Sequence, residues 1–238
     1  MKYILHILIF ALLQVLQVRS EQSLDNGDAE KSGGRSAWFI YTHLPDTVKN
    51  PVKILSGQGI VEVTLSKRYA SEPVRIPQDG VLRLVREEPD PDKRGETLLI
   101  TIAEARIQPG VKEALVILVP LAKPEGDRRF ITKVQSLSDF RGGDWLFMNL
   151  TNAEIGIKLG GLGTVVKPGE IRIRNNRDLK GAVNMEFNYN FRLVGETKWQ
   201  LLTASTAVVM PSRREICIFS VNPRNDRISY NGVTFPVQ

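Results

Sequence analysis

Beyond its first twenty residues, the chain alternates apolar and polar positions with a period of two. In "EFNYNFRLV", Phe187, Tyr189, Phe191 and Leu193 fall on one side and Asn188, Asn190 and Arg192 on the other, the pattern of a strand with one buried face. "GEIRIR" repeats it, with Ile171 and Ile173 expected inward and Arg172 and Arg174 outward. "ALVILVPL" and "EICIFSV" are apolar at successive positions, which predicts central strands covered on both faces. β-branched and aromatic residues fill these runs, and Pro or Gly punctuates them. No stretch after residue 20 holds a helical period over three turns, and "SLSDF" is a single turn at most.

The strand pattern occurs twice. "GGRSAWFIYTHLP" and "GGDWLFMNLTN" each open an aromatic-led strand after a Gly-Gly pair. "VKILSGQG" is answered by "IGIKLGGLG", Gly95-Glu96-Thr97 by Gly195-Glu196-Thr197, and Pro109 by Pro211. The segment from Pro124 to Arg128 is answered by the one from Pro223 to Arg227. Separations of 107, 100 and 102 residues at the tryptophans, the Gly-Glu-Thr triplets and the prolines drift as loop-length changes between two copies would. A unit of about a hundred residues with some seven short strands predicts an antiparallel, Ig-like β-sandwich. The expectation is an all-β protein of two tandem sandwiches, 37–140 and 141–238, joined at "SDFRGG" (Ser138–Gly143), with Trp38 and Trp145 buried at equivalent places. One larger sandwich with a pseudo-repeat is the alternative.

The second half, with "GDWLFMNLTNAEIGIKLGG", "VVKPGEIRI", "WQLLTAST" and "MPSRREICIF", resembles uncharacterised exported proteins of Verrucomicrobia and Planctomycetes over residues 130–238. The resemblance implies a bacterial envelope protein of unknown role, and its motifs are structural, so it carries over no functional residues. A more distant likeness, of fold only, is to the tandem β-sandwich accessory proteins of polysaccharide acetylation.

Residues 1–20 change the picture of where the protein works. Lys2, the apolar run Tyr3–Val18 and the small-residue positions Val18 and Ser20 predict a secretory signal cut near Glu21. The run is shorter than the ~20 apolar residues of a membrane span, so export to the periplasm or the extracellular space is expected rather than anchoring. Residues 21–36 are polar and glycine-rich, the composition of a flexible leader.

Formal net charge is +6; without Lys2 and Arg19 it is +4. Residues 21–140 carry 17 basic and 18 acidic side chains, and residues 141–238 carry 13 and 8, so the excess belongs to the second half. Part of it sits in "RIRNNRDLK", where Arg172, Arg174, Arg177 and Lys180 form a candidate polyanion-binding site beside the plainer reading of a solvated strand face. Arg213, Arg214, Arg224 and Arg227 add two further basic turns.

Candidate chemistry is sparse. His43 is the one histidine after residue 20, at the end of a strand, and no Gly-x-Ser-x-Gly context accompanies it. Glu87, Glu88, Asp90 and Asp92 make the densest acidic cluster, which reads as a hairpin loop neutralised by Lys93 and Arg94 rather than as a calcium loop. "LGGLG" reads as a tight hairpin, and "NLT" at Asn149 is a glycosylation acceptor only in a eukaryotic secretory pathway. Cys217, the only cysteine, is expected to be a small buried hydrophobe, with intermolecular pairing as the alternative. No cofactor is implied, and nucleic acid is a poor partner for an exported protein. Two functions stay open. One is a non-enzymatic envelope module binding an anionic polysaccharide or another envelope protein. The other is a carboxylate-dependent hydrolase or transferase acting on envelope polysaccharide.

Overall fold

A computed structural model describes residues 34–176, 178–222 and 225–237. Residues 1–20, expected to be a signal, and nearly all of the expected leader lie outside the described residues. Arg35–Gln238 forms one compact unit, and among the described residues it is all-β, with sixteen strands and no helix. In the first half these are β1 (Ser36–Tyr41), β2 (Val52–Ser56), β3 (Gly59–Val63), β4 (Val74–Arg75), β5 (Val81–Pro89), β6 (Thr97–Arg106), β7 (Glu113–Glu125) and β8 (Arg128–Ser136). The second half continues with β9 (Trp145–Asn149), β10 (Ala153–Leu159), β11 (Leu162–Val166), β12 (Ile171–Arg174), β13 (Val183–Leu193), β14 (Gln200–Val209), β15 (Arg213–Val221) and β16 (Ile228–Pro236).

The duplication is visible in the topology. The first half pairs its strands as β4-β1-β7-β8 and β3-β2-β5-β6; the second pairs them as β12-β9-β15-β16 and β11-β10-β13-β14, the same orders advanced by eight. In each copy the first strand runs parallel to the seventh. A bulge falls between Leu84 and Val85 in one and between Tyr189 and Asn190 in the other, each opposite the same strand of its sheet. Gly95 and Gly195 both take positive φ, 91° and 89°, in turns where Glu96 N–H donates to Lys93 O and Glu196 N–H to Leu193 O. Glycine is needed there because a side chain disfavours the left-handed region.

Each sandwich has its own core. Phe39, Ile54, Leu84, Val116 and Phe130 fill the first, and Phe147, Ile157, Tyr189, Cys217 and Phe219 fill the second. A third core lies between the β4-β1-β7-β8 and β12-β9-β15-β16 sheets, where Trp38, Ile40, Leu115 and Ile117 meet Leu146, Met148, Ile216, Ile218 and Phe235. The doubly apolar strands are explained by this arrangement. Along β7, Ala114, Val116 and Leu118 enter the first core while Leu115 and Ile117 enter the third. Along β15, Cys217 and Phe219 enter the second while Ile216 and Ile218 enter the third.

Two expectations need correction. Trp38 and Trp145 are both buried, but on opposite faces: Trp38 points into the third core and Trp145 into its own sandwich. By face, the counterpart of Trp38 is Leu146, because a one-residue offset in a strand moves a side chain to the other face. Arg35 and Ser36 belong to the folded unit and not to the leader; the Arg35 guanidinium donates to the carbonyls of Val111 and Gln108 at 2.9 and 2.8 Å, and Ser36 opens β1. The segment expected as the joint, Ser138–Gly143, is packed in place. Leu137 and Phe140 are buried in the third core, and the Asp144 carboxylate accepts the N–H groups of Arg141 and Asn176 at 3.0 and 3.1 Å. Gly142 is obligatory in that strap, since a Cβ would lie 1.7 Å from the Pro211 carbonyl oxygen.

Candidate functional site

The predicted basic run is brought together only in part. β12 is an edge strand; Ile173 packs toward the third core, while Ile171 is exposed rather than inward. Arg172 and Arg174 do not project freely outward but cover the open side of the second sandwich. With Phe147, Ile157 and Thr164 they line a cleft of about 200 Å³. Arg172 donates to the Glu170 carboxylate at 2.8 Å and to the Thr164 hydroxyl at 3.2 Å. The Lys167 N–H, and then Arg172, hold the Glu170 carboxyl below its ordinary range. Arg174 donates to the Leu159 carbonyl and, at 3.3 Å, to Asn176, and burial pulls its pKa down. Lys180 is exposed, and Arg177 lies outside the described residues. Of the further basic turns, Arg213 and Arg227 are exposed and Arg224 lies outside the described residues.

Arg214, expected on a basic turn, is buried instead. It donates to the Phe140 carbonyl at 2.7 Å, and its guanidinium stands 4.5 Å from the Phe235 ring centroid and 5.6 Å from that of Phe140. Burial lowers its pKa, opposed by Glu113. Alternation along β15 is the reason: Arg213 faces water, so Arg214 faces inward.

The other candidates resolve into structural roles. The acidic cluster occupies the β5–β6 hairpin, where Glu87 pairs with Lys53 at 2.6 Å and Glu88 with Arg86 at 2.5 Å. "LGGLG" makes the β10–β11 hairpin, with Gly160 at φ 58°. Asn149 is fully buried: its amide donates to the Ala153 and Val166 carbonyls at 2.7 and 3.0 Å, and its oxygen accepts from the Thr151 N–H and hydroxyl. The sequon is thus an internal turn clamp whose nitrogen is already spent. Cys217 is buried against the Tyr189 hydroxyl at 3.3 Å, as expected of a small core residue. His43 follows β1 and is partly buried.

A site the sequence reading missed lies on the outer face of the β11-β10-β13-β14 sheet. Trp199, just before β14, packs over Gly156 of β10 so closely that a Cβ there would lie 3.0 Å from its ring. The Arg192 guanidinium stands 4.7 Å from the Trp199 ring centroid and donates to Glu154 at 3.0 Å. Gly156 pairs with Asn190, Glu154 with Arg192 and Lys158 with Asn188, so all share this face. Asn190 donates to Asn188. Beyond them, Lys158, Glu186, Asn188 and Thr206 line a shallow groove of about 330 Å³. From Arg192 to Glu186 the strip runs six residues of β13, roughly 20 Å at about 3.4 Å per residue.

The first copy carries nothing similar. Lys53 stands where Gly156 does and is paired with Glu87, and Leu99 occupies the place of Trp199 after the Gly-Glu-Thr turn. A readable signal existed in that difference: an aromatic in one copy only, beside a strand glycine in the same copy. Their contact, across 43 residues, needed the sheet register. No family model matches this chain, and no curated protein matches it at a significant level.

Proposed function

We propose that this protein is an exported, non-enzymatic envelope module that binds a polysaccharide along the outer face carrying Trp199. The observation that carries this reading is the indole held over Gly156 and braced by Arg192. A partly exposed indole offers an apolar plane to the C–H face of a sugar ring. The neighbouring Asn188 and Asn190 amides offer donors and acceptors to its hydroxyls. Asn188 and Asn190 are borne on β13 and so are held more rigidly than loop groups, which suits a repeating ligand. Trp199, just before β14, is fixed by its contacts with Gly156 and Arg192. The signal-like start of the chain and the resemblance to exported envelope proteins support the location.

Charge refines the ligand. Lys158 and Arg192 on the strip are balanced by Glu154 and Glu186, with Arg192 engaged by Glu154. The arginines of β12 are already committed to Glu170, Thr164 and Leu159. A largely uncharged glycan fits this face better than a polyanion does, so binding is expected to depend weakly on salt. Affinity electrophoresis in gels containing a neutral glucan, a neutral mannan or a uronic-acid polymer tests the reading. Retardation by a neutral polymer, lost in Trp199→Ala with an unchanged melting temperature, is the expected result. Retardation by the uronic-acid polymer alone, abolished by salt and by reversing Arg172 and Lys180, would return the site to the basic run. Equal retardation of wild type and Trp199→Ala would remove Trp199 from any role.

A further inference from the structure

We infer that β14 is a homotypic docking edge through which two copies of this chain join their outer sheets. β14 is the free margin of the β11-β10-β13-β14 sheet, ten residues long, "QLLTASTAVV", without a charge or a proline. Long edges of that composition pair with other strands unless something prevents it.

The other edges among the described residues are short, carry charge, end in a proline or are contacted by another element. β6 carries Glu104 and Arg106, and the Thr132 hydroxyl of β8 donates to the Glu104 carbonyl at 2.7 Å. β8 itself carries Arg128, Arg129 and Lys133. β16 is also uncharged, but it ends in Pro236, and a first-half loop reaches it where the Asn231 amide donates to the Lys67 carbonyl. β3, β4, β11 and β12 are five residues or fewer. Among the described residues β14 is the one long edge with neither a charge nor a proline, and no hydrogen bond reaches its free side. Leu201 and Val208, both on it, are 62% and 47% exposed, and Val194 in the turn between β13 and β14 is 76% exposed.

The occupant is a second copy. An uncharged strand meets no like charge when paired with itself in any antiparallel register, and a two-fold axis brings identical edges together. Such pairing continues one sheet into the other and turns both outer faces to the same side. If the glycan reading above holds, two Trp199 strips would then engage one polymer, raising retention by avidity. The edge argument itself does not depend on that reading.

Sedimentation velocity over a concentration series tests it. The weight-average mass should double between low and high concentration for wild type. Ala204→Lys/Thr206→Lys and Ala204→Glu/Thr206→Glu, each exposed on β14, should remain single at all concentrations with unchanged melting temperatures. Mixed in equal amounts, they should regain the doubled mass. A wild type that stays single up to millimolar concentration, variants that still double, or a mixture that does not would each overturn the proposal. Trp199→Ala should keep the doubling while losing glycan retention, which separates failure of the edge from failure of the glycan site.

Discussion

Trp38 and Phe235 meet edge to face with ring centroids 5.4 Å apart, joining the first strand of one sandwich to the last strand of the other. The contact lies in the third core, where Leu115, Ile117, Leu146 and Ile218 are fully or almost fully buried. Burial of that completeness couples the two halves, because neither can unfold without exposing the face of its neighbour. Calorimetry is therefore expected to give one unfolding transition for both sandwiches, with a calorimetric enthalpy equal to the van't Hoff value. Trp38→Ala should lower stability by about 3–5 kcal/mol while keeping a single transition. Two separated transitions in wild type would show that the third core is not limiting.

Arg214 supplies a test of what a buried charge contributes. Its guanidinium lies between Phe140 and Phe235 and donates to the Phe140 carbonyl. Arg214→Ala should cost about 2–4 kcal/mol, from lost packing and an unpaired carbonyl. Arg214→Met, of similar length and apolar, should recover most of that loss, since replacing a buried ion by a well-packed hydrophobe is often neutral. Urea midpoints of the two variants decide it: equal destabilisation would mean that the charge, not the volume, matters.

How much of this could be read from the chain depends on what each residue's pattern encodes. The apolar-on-both-faces runs of β7 and β15 announced strands covered twice, because burial on both sides removes polar alternation altogether. The glycine and proline turns announced the duplication. The tryptophans misled, since residue identity suggested a match while face parity, which one residue reverses, decides where a side chain goes. Arg213 and Arg214 read alike, yet adjacent strand positions face opposite ways and only one is solvated. Trp199 and Gly156 meet through sheet register, which no local pattern carries.

Asn149 should be irreplaceable for a reason unrelated to glycosylation. Its amide nitrogen satisfies two buried carbonyls, and its oxygen satisfies the Thr151 donors. Asn149→Asp keeps the shape but sets a carboxylate against the Ala153 and Val166 oxygens. A loss of about 3 kcal/mol or more is expected at neutral pH, easing as the pH falls and the carboxyl takes up a proton. Thermal melts of the variant at pH 4 and pH 7 check this, and an unchanged melting temperature at pH 7 would refute it.

The Cys217 thiol is expected to be chemically silent in the folded protein. It is buried beside Tyr189, and burial pushes its pKa up from the ordinary 9.0 to about 12. The thiolate is the reactive form, so both access and ionisation are denied. A folded-state pKa above the unfolded one means that the native protein holds its proton longer. This group therefore costs no stability below pH 9, and stability falls as the pH rises from 9 toward 12. Ellman's reagent at pH 8 should titrate no thiol in native protein and one per chain in denaturant. Cys217→Ala, by removing the ionising group, should flatten the alkaline decline in urea midpoint relative to wild type. A thiol that reacts at the same rate with and without denaturant would place Cys217 at the surface and reopen intermolecular pairing.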